Sequence, residues 1–406
     1  MTEGAEPCNN SGPPEGMKIS IVTPSYPTEA EPYRGAPIWS TLRGLAHYAN
    51  LKAYCTMPDY PFLYQPRTYM YSPPSGQLEN FGFDSLGIRY PAIPWLTRTL
   101  NGRLIYRRLR ALVEADVPDL LLTYWVYPDG YATVLLGREL GIPVIVGSRG
   151  SDLRLLPAKA GMRQKVLITL ANASAVLCVS TDLGNIAERL GASSEKIHVI
   201  RNGVDASVFR YCDQGEARGR LGFPMGKPLA LYAGRLVPLK GLDKLVEAAA
   251  IMTWRTGTDW ILALAGVGFL ESSLRRQAHE LGIERQLLFL GAIEPAQVAE
   301  WMNAADLLCL PSESEGCPNV VLESLSCGRP VVSTAVGGVP EILGKDCGVL
   351  TAADDPRTLA EALDTAYRTP WDRPVIASRR QRGWDQVARE TYQVCEDVWT
   401  IHGRHN

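Results

Sequence analysis

Residues 306–323 carry the sequence DLLCLPSESEGCPNVVLE, in which a short apolar run ends in proline and serine and a helical pattern follows. The apolar run 307–310 predicts a buried parallel strand. Pro318 suits the first position of the helix after it. The backbone N–H groups that begin this helix would face the carboxyl edge of a sheet, where hydroxyl or phosphate groups of a ligand could accept hydrogen bonds.

Apolar strands alternate with helical patterns on both sides of this stretch. A first series of predicted strands covers 19–23, 120–124, 144–147 and 176–180, and a second covers 229–232, 261–265, 287–290, 307–310 and 331–333. Strands that alternate with helices form parallel sheets with helices on both faces. The chain therefore predicts two doubly wound α/β domains, and a ligand site outside the carboxyl ends of their strands.

Two glutamates, Glu315 and Glu323, stand eight positions apart in the opening stretch. Glu315 would lie where the strand ends, and Glu323 about 7 Å further along the helix at 1.5 Å per residue. Carboxylates in these places could accept hydrogen bonds from two different sugars, with Glu323 accepting a pair from a vicinal diol such as ribose. The alternative is that both are solvated charges, the commonest state of glutamate.

Two cations follow the first strand of the second series. Arg235 comes directly after residues 229–233, and Lys240 precedes the helical pattern 242–252. A guanidinium offers a planar fork to phosphate oxygens, an ammonium offers a point charge, and a helix start adds backbone donors. The arrangement favours a phosphorylated ligand, and the alternative is a pair of solvated surface cations.

These residues, together with Gly328-Arg329-Pro330 and the second glycine-rich turn that leads to Glu341, resemble glycosyltransferase family 4 of the GT-B architecture. The resemblance extends from Lys18 to the C terminus and is strongest between Leu229 and Glu341. It implies two Rossmann-like doubly wound parallel-sheet domains that face a central cleft. Residues 1–16 would be a disordered tail, 17–205 the acceptor domain joined by the C-terminal segment 372–406, and 206–371 the nucleotide-sugar donor domain.

The resemblance also assigns roles to residues. Glu315 would contact the donor hexose, Glu323 the ribose, and Arg235 and Lys240 the diphosphate. The implied catalytic residues are Arg235, Lys240, Glu315 and Arg149. The other implied donor-binding residues are Gly35, Gly266, Gly268, Ile293, Gly316, Cys317, Pro318, Asn319 and Val320. Asp152 is expected to contact the acceptor or to orient Arg149, and Trp125 could stack on an acceptor sugar.

Arg149, in Ser148-Arg149-Gly150-Ser151-Asp152, stands where many relatives carry histidine. A guanidinium can hydrogen-bond hydroxyls or phosphate but cannot shuttle protons near neutral pH. The mechanism should therefore not need a histidine base, which suits the front-face retaining pathway attributed to the family, where positioning and electrostatics carry most of the rate. The alternative is a structural ion pair between Arg149 and Asp152.

Composition limits the partners and the compartment. A formal net charge of −2 argues against a general nucleic-acid binder. Nine cysteines without a Cys-x-x-Cys pair suggest neither a disulfide framework nor a zinc site, and favour reduced thiols in a cytoplasm. There is no Asp-x-Asp metal motif, so no metal or cofactor is expected, and the nucleotide-sugar is a substrate. No apolar run reaches the ~18 residues of a membrane span, and the polar start does not resemble a signal peptide.

A basic amphipathic segment at 103–113 suggests a second partner. Its basic residues are Arg103, Arg107, Arg108 and Arg110, and its apolar stripe is Leu104, Ile105, Leu109 and Leu112. Such a helix can lie on an anionic membrane surface, in which case the acceptor would be a lipid-linked saccharide. The ordinary explanation is a packed helix with a wet basic side.

The sequence therefore predicts a retaining, metal-independent transferase that moves a hexose from a nucleotide-diphosphate sugar to a saccharide or lipid-linked acceptor of an envelope or extracellular polysaccharide. A GT-B epimerase or hydrolase is one alternative. A non-catalytic regulator that binds nucleotide-sugar is another, although the presence of Arg235, Lys240, Glu315 and Glu323 together argues against it. The sugar, the choice among UDP, GDP and ADP, the linkage and the oligomeric state are left open.

Overall fold

The computed structural model describes residues 16–27, 34–61, 76–77, 82–94, 96–257, 259–352, 355–379 and 382–403. The predicted tail lies outside these residues apart from Gly16. The chain forms two compact units. The first contains the described residues up to Cys178, residues 184–200 and those from Asp385 onward, and the second contains residues 179–183 and 201–384.

The first unit is built on a sheet whose described strands follow the order β3-β4-β2-β1-β5-β6-β7-β8. The pairing of β3 with β4 is antiparallel and the other described pairings are parallel. The strands are β1 (Lys18–Thr23), β2 (Asn50–Asp59), β3 (Gly76–Gln77), β4 (Asp84–Pro91), β5 (Leu120–Thr123), β6 (Val144–Ser148), β7 (Ala175–Cys178) and β8 (Ile197–Val199). The near-continuous apolar runs of β1 and β5 are buried, as expected for strands covered on both faces.

Helices connect these strands. They are α1 (Ala36–Leu45), α2 (Asn101–Glu114), α3 (Tyr131–Leu140), α4 (Ser151–Arg154), α5 (Arg163–Asn172) and α6 (Thr181–Arg189). Helix α2 buries Ile105, Leu109 and Val113, which are four residues apart and share one face. Of the apolar stripe that the sequence offered to a membrane, Ile105 and Leu109 are buried and Leu104 and Leu112 are partly exposed, while the basic residues lie on the exposed side.

The second unit has a sheet whose described strands are all parallel, in the order β11-β10-β9-β12-β13-β14. The strands are β9 (Leu229–Ala233), β10 (Ile261–Ala265), β11 (Leu287–Gly291), β12 (Leu307–Leu310), β13 (Val331–Thr334) and β14 (Gly348–Thr351). Strands β9 to β11 extend the sheet in one direction and β12 to β14 in the other. The order therefore reverses between β9 and β12, and a crevice outside the carboxyl ends forms at such a reversal.

The helices of the second unit cover its sheet, and a last helix follows. They are α7 (Gln214–Leu221), α8 (Leu242–Thr256), α9 (Glu271–Glu280), α10 (Pro295–Ala304), α11 (Asn319–Ser326), α12 (Val339–Ile342), α13 (Pro356–Arg368) and α14 (Arg373–Arg379), followed by α15 (Trp384–Gly403). Among the helices of the described ranges, none combines the length and hydropathy that crossing a bilayer requires.

Helix α14 belongs to the second unit, whereas the sequence grouped all of 372–406 with the first. Close packing explains the difference, because a Cβ on Gly328 would lie 2.5 Å from the carbonyl oxygen of Arg373. The Arg373 guanidinium also donates to Gln214 Oε1 at 2.6 Å. Residues from Asp385 in α15 belong to the first unit, where His402 Nε2 lies 2.7 Å from the carbonyl oxygen of Gly141.

Candidate active site

The loops after β9 and β12 meet at the reversal of the second sheet. The backbone N–H of Glu313 donates to the carbonyl of Leu239 at 2.9 Å and ties the two loops together. Gly241 makes the approach possible, because its φ of 61° is left-handed and a Cβ there would lie 2.2 Å from the carbonyl oxygen of Pro311. Two loops that lie far apart in sequence thereby form one edge of the site.

Lys240 and Glu315 are brought into direct contact by this arrangement. Lys240 Nζ donates to Glu315 Oε1 at 2.5 Å, and the side chains are 22% and 10% exposed. An ion pair shielded to this degree is stronger than one at the surface. The cation expected at the diphosphate and the carboxylate expected at the hexose are therefore neighbours before any ligand binds.

Arg235 lies on the same loop and is exposed. Its carbonyl accepts a hydrogen bond from Tyr232 Oη at 2.8 Å, so the backbone at Arg235 is fixed by a buried tyrosine. Among the residues that the structure describes, no carboxylate lies within 4.0 Å of its guanidinium. The side chain therefore has its hydrogen-bonding fork available to an anionic ligand.

Gly266 and Gly268, after β10, support the Arg235 loop. A Cβ on Gly266 would lie 1.9 Å from the Gly234 carbonyl oxygen, and one on Gly268 would lie 2.2 Å from that of Leu236. The backbone N–H of Leu236 also donates to Val267 at 3.0 Å. The two glycines thus allow backbone-to-backbone packing that places Arg235, and a direct contact with the donor stays a prediction.

Helix α11 begins at Asn319, one residue later than the sequence predicted, because Pro318 has an extended ψ of 114°. No side chain caps the helix. Its first N–H groups, including those of Asn319 and Val320, have no acceptor within the helix and are available to a ligand. The turn before it is held from outside, since Gly338 N donates to the Gly316 carbonyl at 3.1 Å.

Glu323 is the fifth residue of α11 and is partly buried. Burial raises its pKa from the ordinary 4.5 to about 7. None of the described residues donates a hydrogen bond or a salt bridge to its carboxylate. A carboxyl group held in this way is stabilised by any ligand that brings two hydroxyl donors.

Two other predicted donor-binding residues are buried or partly buried. Cys317 is buried beside α11. Ile293 packs on the core, and its main-chain contact with a base stays a prediction.

Asp152 lies in the first unit. Asp152 is fully buried, and its carboxylate accepts from Val126 N at 3.2 Å, Ser148 Oγ at 2.9 Å and two further backbone N–H groups, those of Arg149 and Gly150. Burial raises its pKa, and these donors act against the rise. The carboxylate has no exposed oxygen for an acceptor, so the geometry favours the other expected role, that of shaping the loop that carries Arg149.

Trp125 is partly exposed directly after β5. Gly35 precedes α1 with a left-handed φ of 72°, and a Cβ there would lie 2.7 Å from Ser25 Cβ. Helix α1 likewise lacks a side-chain cap, but Ile38 N and Trp39 N donate to the Gly35 carbonyl at 2.8 and 3.1 Å, and Pro37 has no N–H. Close packing on Ser25 accounts for a glycine at this position, and the phosphate contact stays a prediction.

Several residues that shape the site were missed from the sequence. Tyr232 ends a strand that looks uniformly apolar, so nothing marked its hydroxyl as a support for Arg235. Asn202 stands in a turn-rich segment of the sequence, Arg201-Asn202-Gly203, and its amide contacts the turn before α11. Glu341 was seen as the end of a glycine-rich turn, and it accepts hydrogen bonds from Thr181 N and Asp182 N at 2.9 Å each.

Whether the site could hold a metal ion depends on which side chains it brings together. Within the described ranges, no three side chains of histidine, cysteine, aspartate or glutamate come together as a metal site would require. The cations Arg235 and Lys240 are the groups at this edge that can meet the charge of a diphosphate. Independence from a divalent ion stays a prediction.

The fold matches solved structures over nearly the whole chain. The crystal structure of Anabaena HepE in complex with UDP aligns with a TM-score of 0.70 at 20% identity, covering 94% of this chain and all of the other. This likeness concerns the fold, which is GT-B with two Rossmann-like parallel-sheet domains.

Sequence comparisons identify the class of enzyme and then its family. The model for glycosyl transferases group 1 matches residues 213–384, and the model for Glycosyltransferase Family 4 matches residues 13–208. D-inositol 3-phosphate glycosyltransferase of Xylanimonas cellulosilytica is 33% identical over 286 residues, covering 65% of this chain and 68% of the relative. TuaC of Bacillus subtilis, assigned to teichuronic acid biosynthesis as a glycosyltransferase, is 29% identical over 86% of this chain and 88% of its own length. The protein is a group 1 glycosyltransferase, and it belongs to family 4.

Proposed function

We propose that the enzyme transfers a hexose, with retention of configuration, from a nucleotide-diphosphate sugar to a saccharide or lipid-linked acceptor in envelope or extracellular polysaccharide synthesis. The observation that carries the proposal is the contact between Lys240 and Glu315 at the reversal of the second sheet's strand order, with Arg235 on the loop of Lys240 and Glu323 on the helix after Glu315. Solved structures of the Anabaena protein contain UDP and UDP-glucose, and TuaC is assigned to teichuronic acid biosynthesis, which supports the substrate classes.

The proposed chemistry needs positive charge at the leaving group. The bond between the anomeric carbon and the phosphate oxygen breaks, the acceptor oxygen bonds to the same face of that carbon, and the departing phosphate oxygen takes the acceptor proton. Arg235 and Lys240 would stabilise the charge that develops on the nucleoside diphosphate. Glu315 would hold Lys240 through Oε1 and would accept hydrogen bonds from hexose hydroxyls with the remaining lone pairs of its carboxylate. Arg149 would contact the sugar or a phosphate without exchanging protons.

Different parts of the donor would bind at different positions along α11. The open N–H groups at Asn319 and Val320 suit sugar hydroxyls or phosphate oxygens. Glu323, one turn further, suits the ribose diol, which would supply the donors that its carboxylate lacks within the described structure. Spacing the two contacts along one helix would align the hexose and the nucleoside in a single bound conformation, which lowers the entropic cost of reaching the transition state.

We infer that the acceptor side acts at the cytoplasmic surface of an anionic membrane. Arg103, Arg107 and Arg108 are exposed on α2, whereas Arg110 is paired with Glu114 at 2.9 Å. Because Ile105 and Leu109 of the α2 stripe are buried, the contact would be mainly electrostatic, helped by Leu96, which is 73% exposed in the preceding turn. The double variant Arg103→Glu/Arg107→Glu should no longer sediment with phosphatidylglycerol vesicles at low salt. Unchanged sedimentation of the variant, or no sedimentation of the wild type, would refute the membrane contact.

The function is tested by a donor screen followed by product analysis. Thermal shifts with UDP-, GDP- and ADP-sugars identify the donor, and release of nucleoside diphosphate is then measured with and without saccharide or lipid-linked acceptors in EDTA. The proposal expects acceptor-dependent release and an α-linked product from an α-linked donor. Free monosaccharide or an epimerised nucleotide-sugar without acceptor would establish the hydrolase or epimerase instead. Binding without any turnover across the acceptor panel would favour a regulator.

A further inference from the structure

Asn202 connects the segment after β8 to the turn before α11. The residue is 4% exposed. Its amide nitrogen Nδ2 donates to the carbonyl oxygen of Cys317 at 3.1 Å and to Oδ1 of Asn319 at 2.6 Å. One side chain thus holds the residues on either side of Pro318.

The backbone next to Asn202 is bonded to the segment 382–383. Val204 N donates to the Arg382 carbonyl at 2.8 Å, and Val204 pairs with Gly383 in a parallel bridge. Gly203 packs so closely that a Cβ there would lie 2.8 Å from the Gly383 carbonyl carbon. The amide of Asn202 is therefore presented to the turn from a fixed position.

The contact with Asn319 has a consequence for the start of α11. Pro318 occupies the capping position and Asn319 is the first helical residue, but an asparagine oxygen beside a helix start can still accept from a neighbouring backbone N–H and compete with an external acceptor. In this structure Oδ1 of Asn319 is occupied by Asn202, and no side chain caps the helix. The first N–H groups of α11 consequently remain open toward the carboxyl edge of the sheet.

We propose that Asn202 is a positioning residue for the donor, which keeps the N-terminus of α11 uncapped and holds the turn at Cys317 in the geometry that receives the nucleotide-sugar. The inference rests on the proposed function, because it takes the donor to bind at this turn. Asn202 acts through Cys317 and Asn319 and does not itself contact the reacting atoms.

The chain offers a matched control in Asn303. It is also 4% exposed in the second unit, and its Nδ2 donates to two carbonyls, those of Arg210 at 3.0 Å and Ala299 at 2.9 Å. Asn303 lies at the end of α10, before β12, whereas the turn follows β12. Asn303 Oδ1 also accepts from Cys212 N at 2.9 Å, so Asn303→Ala removes one more hydrogen bond than Asn202→Ala does. We nevertheless expect only Asn202→Ala to change donor binding.

The experiment titrates UDP, GDP and ADP into the wild-type chain and into Asn202→Ala, Asn319→Ala, their double variant and Asn303→Ala, and records Tm in parallel. We expect about a tenfold rise in Kd for the preferred nucleotide, ~1.4 kcal/mol, in Asn202→Ala, with an unchanged Kd in Asn303→Ala. The effect of Asn202→Ala should shrink in the Asn319→Ala background. With an active donor, KM should rise more than kcat falls.

Three results would count against the inference, and they are distinguishable. Asn202→Ala with a lowered Tm and the wild-type Kd would show a merely structural residue and leave the proposed donor site intact. Wild-type protein that binds none of the three nucleotides would refute the donor site and this inference with it. Asn202→Asp, which replaces the donating nitrogen by a second oxygen facing two acceptors, should weaken binding more than Asn202→Ala does; equal or tighter binding would count against it.

Discussion

Lys240 Nζ lies 2.5 Å from Oε1 of Glu315, and the pair joins the loop after β9 to the loop after β12. The contact couples the group proposed to meet the diphosphate with the group proposed to meet the hexose. A carboxylate that neutralises the lysine lowers the electrostatic cost of holding both side chains partly buried. It also fixes the ammonium at one place on the edge of the sheet, so that little reorganisation is needed when charge develops on the leaving group.

Lys240→Ala should lower kcat by about 10²- to 10³-fold, as expected when one preorganised charge-stabilising donor is removed. The measurement is release of nucleoside diphosphate at saturating donor. Lys244→Ala is the control, because Lys244 is 21% exposed and pairs with Glu313 at 3.1 Å one turn into α8. A kcat for Lys240→Ala equal to that of the control would remove Lys240 from the reaction.

Glu323→Gln should weaken nucleoside diphosphate binding by about 1.5 to 3 kcal/mol, the range for hydrogen bonds to a charged group. Comparing UDP with 2′,3′-dideoxy-UDP, or the corresponding pair for the preferred base, isolates the ribose diol. The wild type should prefer the ribonucleotide, and the variant should lose most of that preference. A preference that survives in Glu323→Gln would place the ribose elsewhere.

The raised pKa of Glu323 also predicts a pH dependence of stability. Its carboxyl titrates at about 7 in the folded chain against an ordinary 4.5, so the folded state binds the proton more tightly. The contribution of this group to stability is therefore largest at low pH and is lost as the pH rises from about 4.5 to about 7. Glu323→Gln should raise Tm relative to the wild type progressively across this window. A Tm difference that does not change with pH would show that the pKa of Glu323 is not raised by folding.

Gly241→Ala tests whether the close approach of the two loops is required. Gly241 and Gly282 both have left-handed φ angles, of 61° and 69°, but a Cβ on Gly282 would meet nothing within 4 Å. Gly282→Ala should cost only the conformational strain, about 1 kcal/mol. Gly241→Ala adds the clash with Pro311 and should cost about 3 kcal/mol or more in free energy of unfolding, measured by urea denaturation. Equal losses would mean that the loops can separate freely.

The strands of the second unit were largely predictable. The five predicted strands correspond to β9 through β13 within one residue at either end, because their apolar runs are uninterrupted. Strand β14 was missed, since it is four residues long, begins with glycine and is buried only at its ends. In the first unit β2 escaped notice because Lys52 and Pro58 interrupt its apolar pattern.

The site was predicted as a set of residues, but its contacts were not. Lys240 and Glu315 are 75 residues apart, and their meeting depends on β9 lying beside β12, which local sequence does not encode. Asp152 was expected to contact the acceptor or to orient Arg149, and only the fold supplies the donors that surround its carboxylate. The stripe of α2 was compatible with a core or a membrane, and the tertiary packing decided for the core.

We propose that Arg235 and Lys240 hold the diphosphate without a divalent ion. The most direct measurement is calorimetric titration, in EDTA, of the preferred nucleoside diphosphate and of its nucleoside into the wild type and into Arg235→Ala/Lys240→Ala, with exposed Arg276→Ala as control. The account predicts that the wild type and the control bind the diphosphate much more tightly than the nucleoside, and that this preference collapses in the double variant while nucleoside affinity is unchanged. A preference that appears in the wild type only when magnesium or manganese is added, or that persists in the double variant, would contradict it.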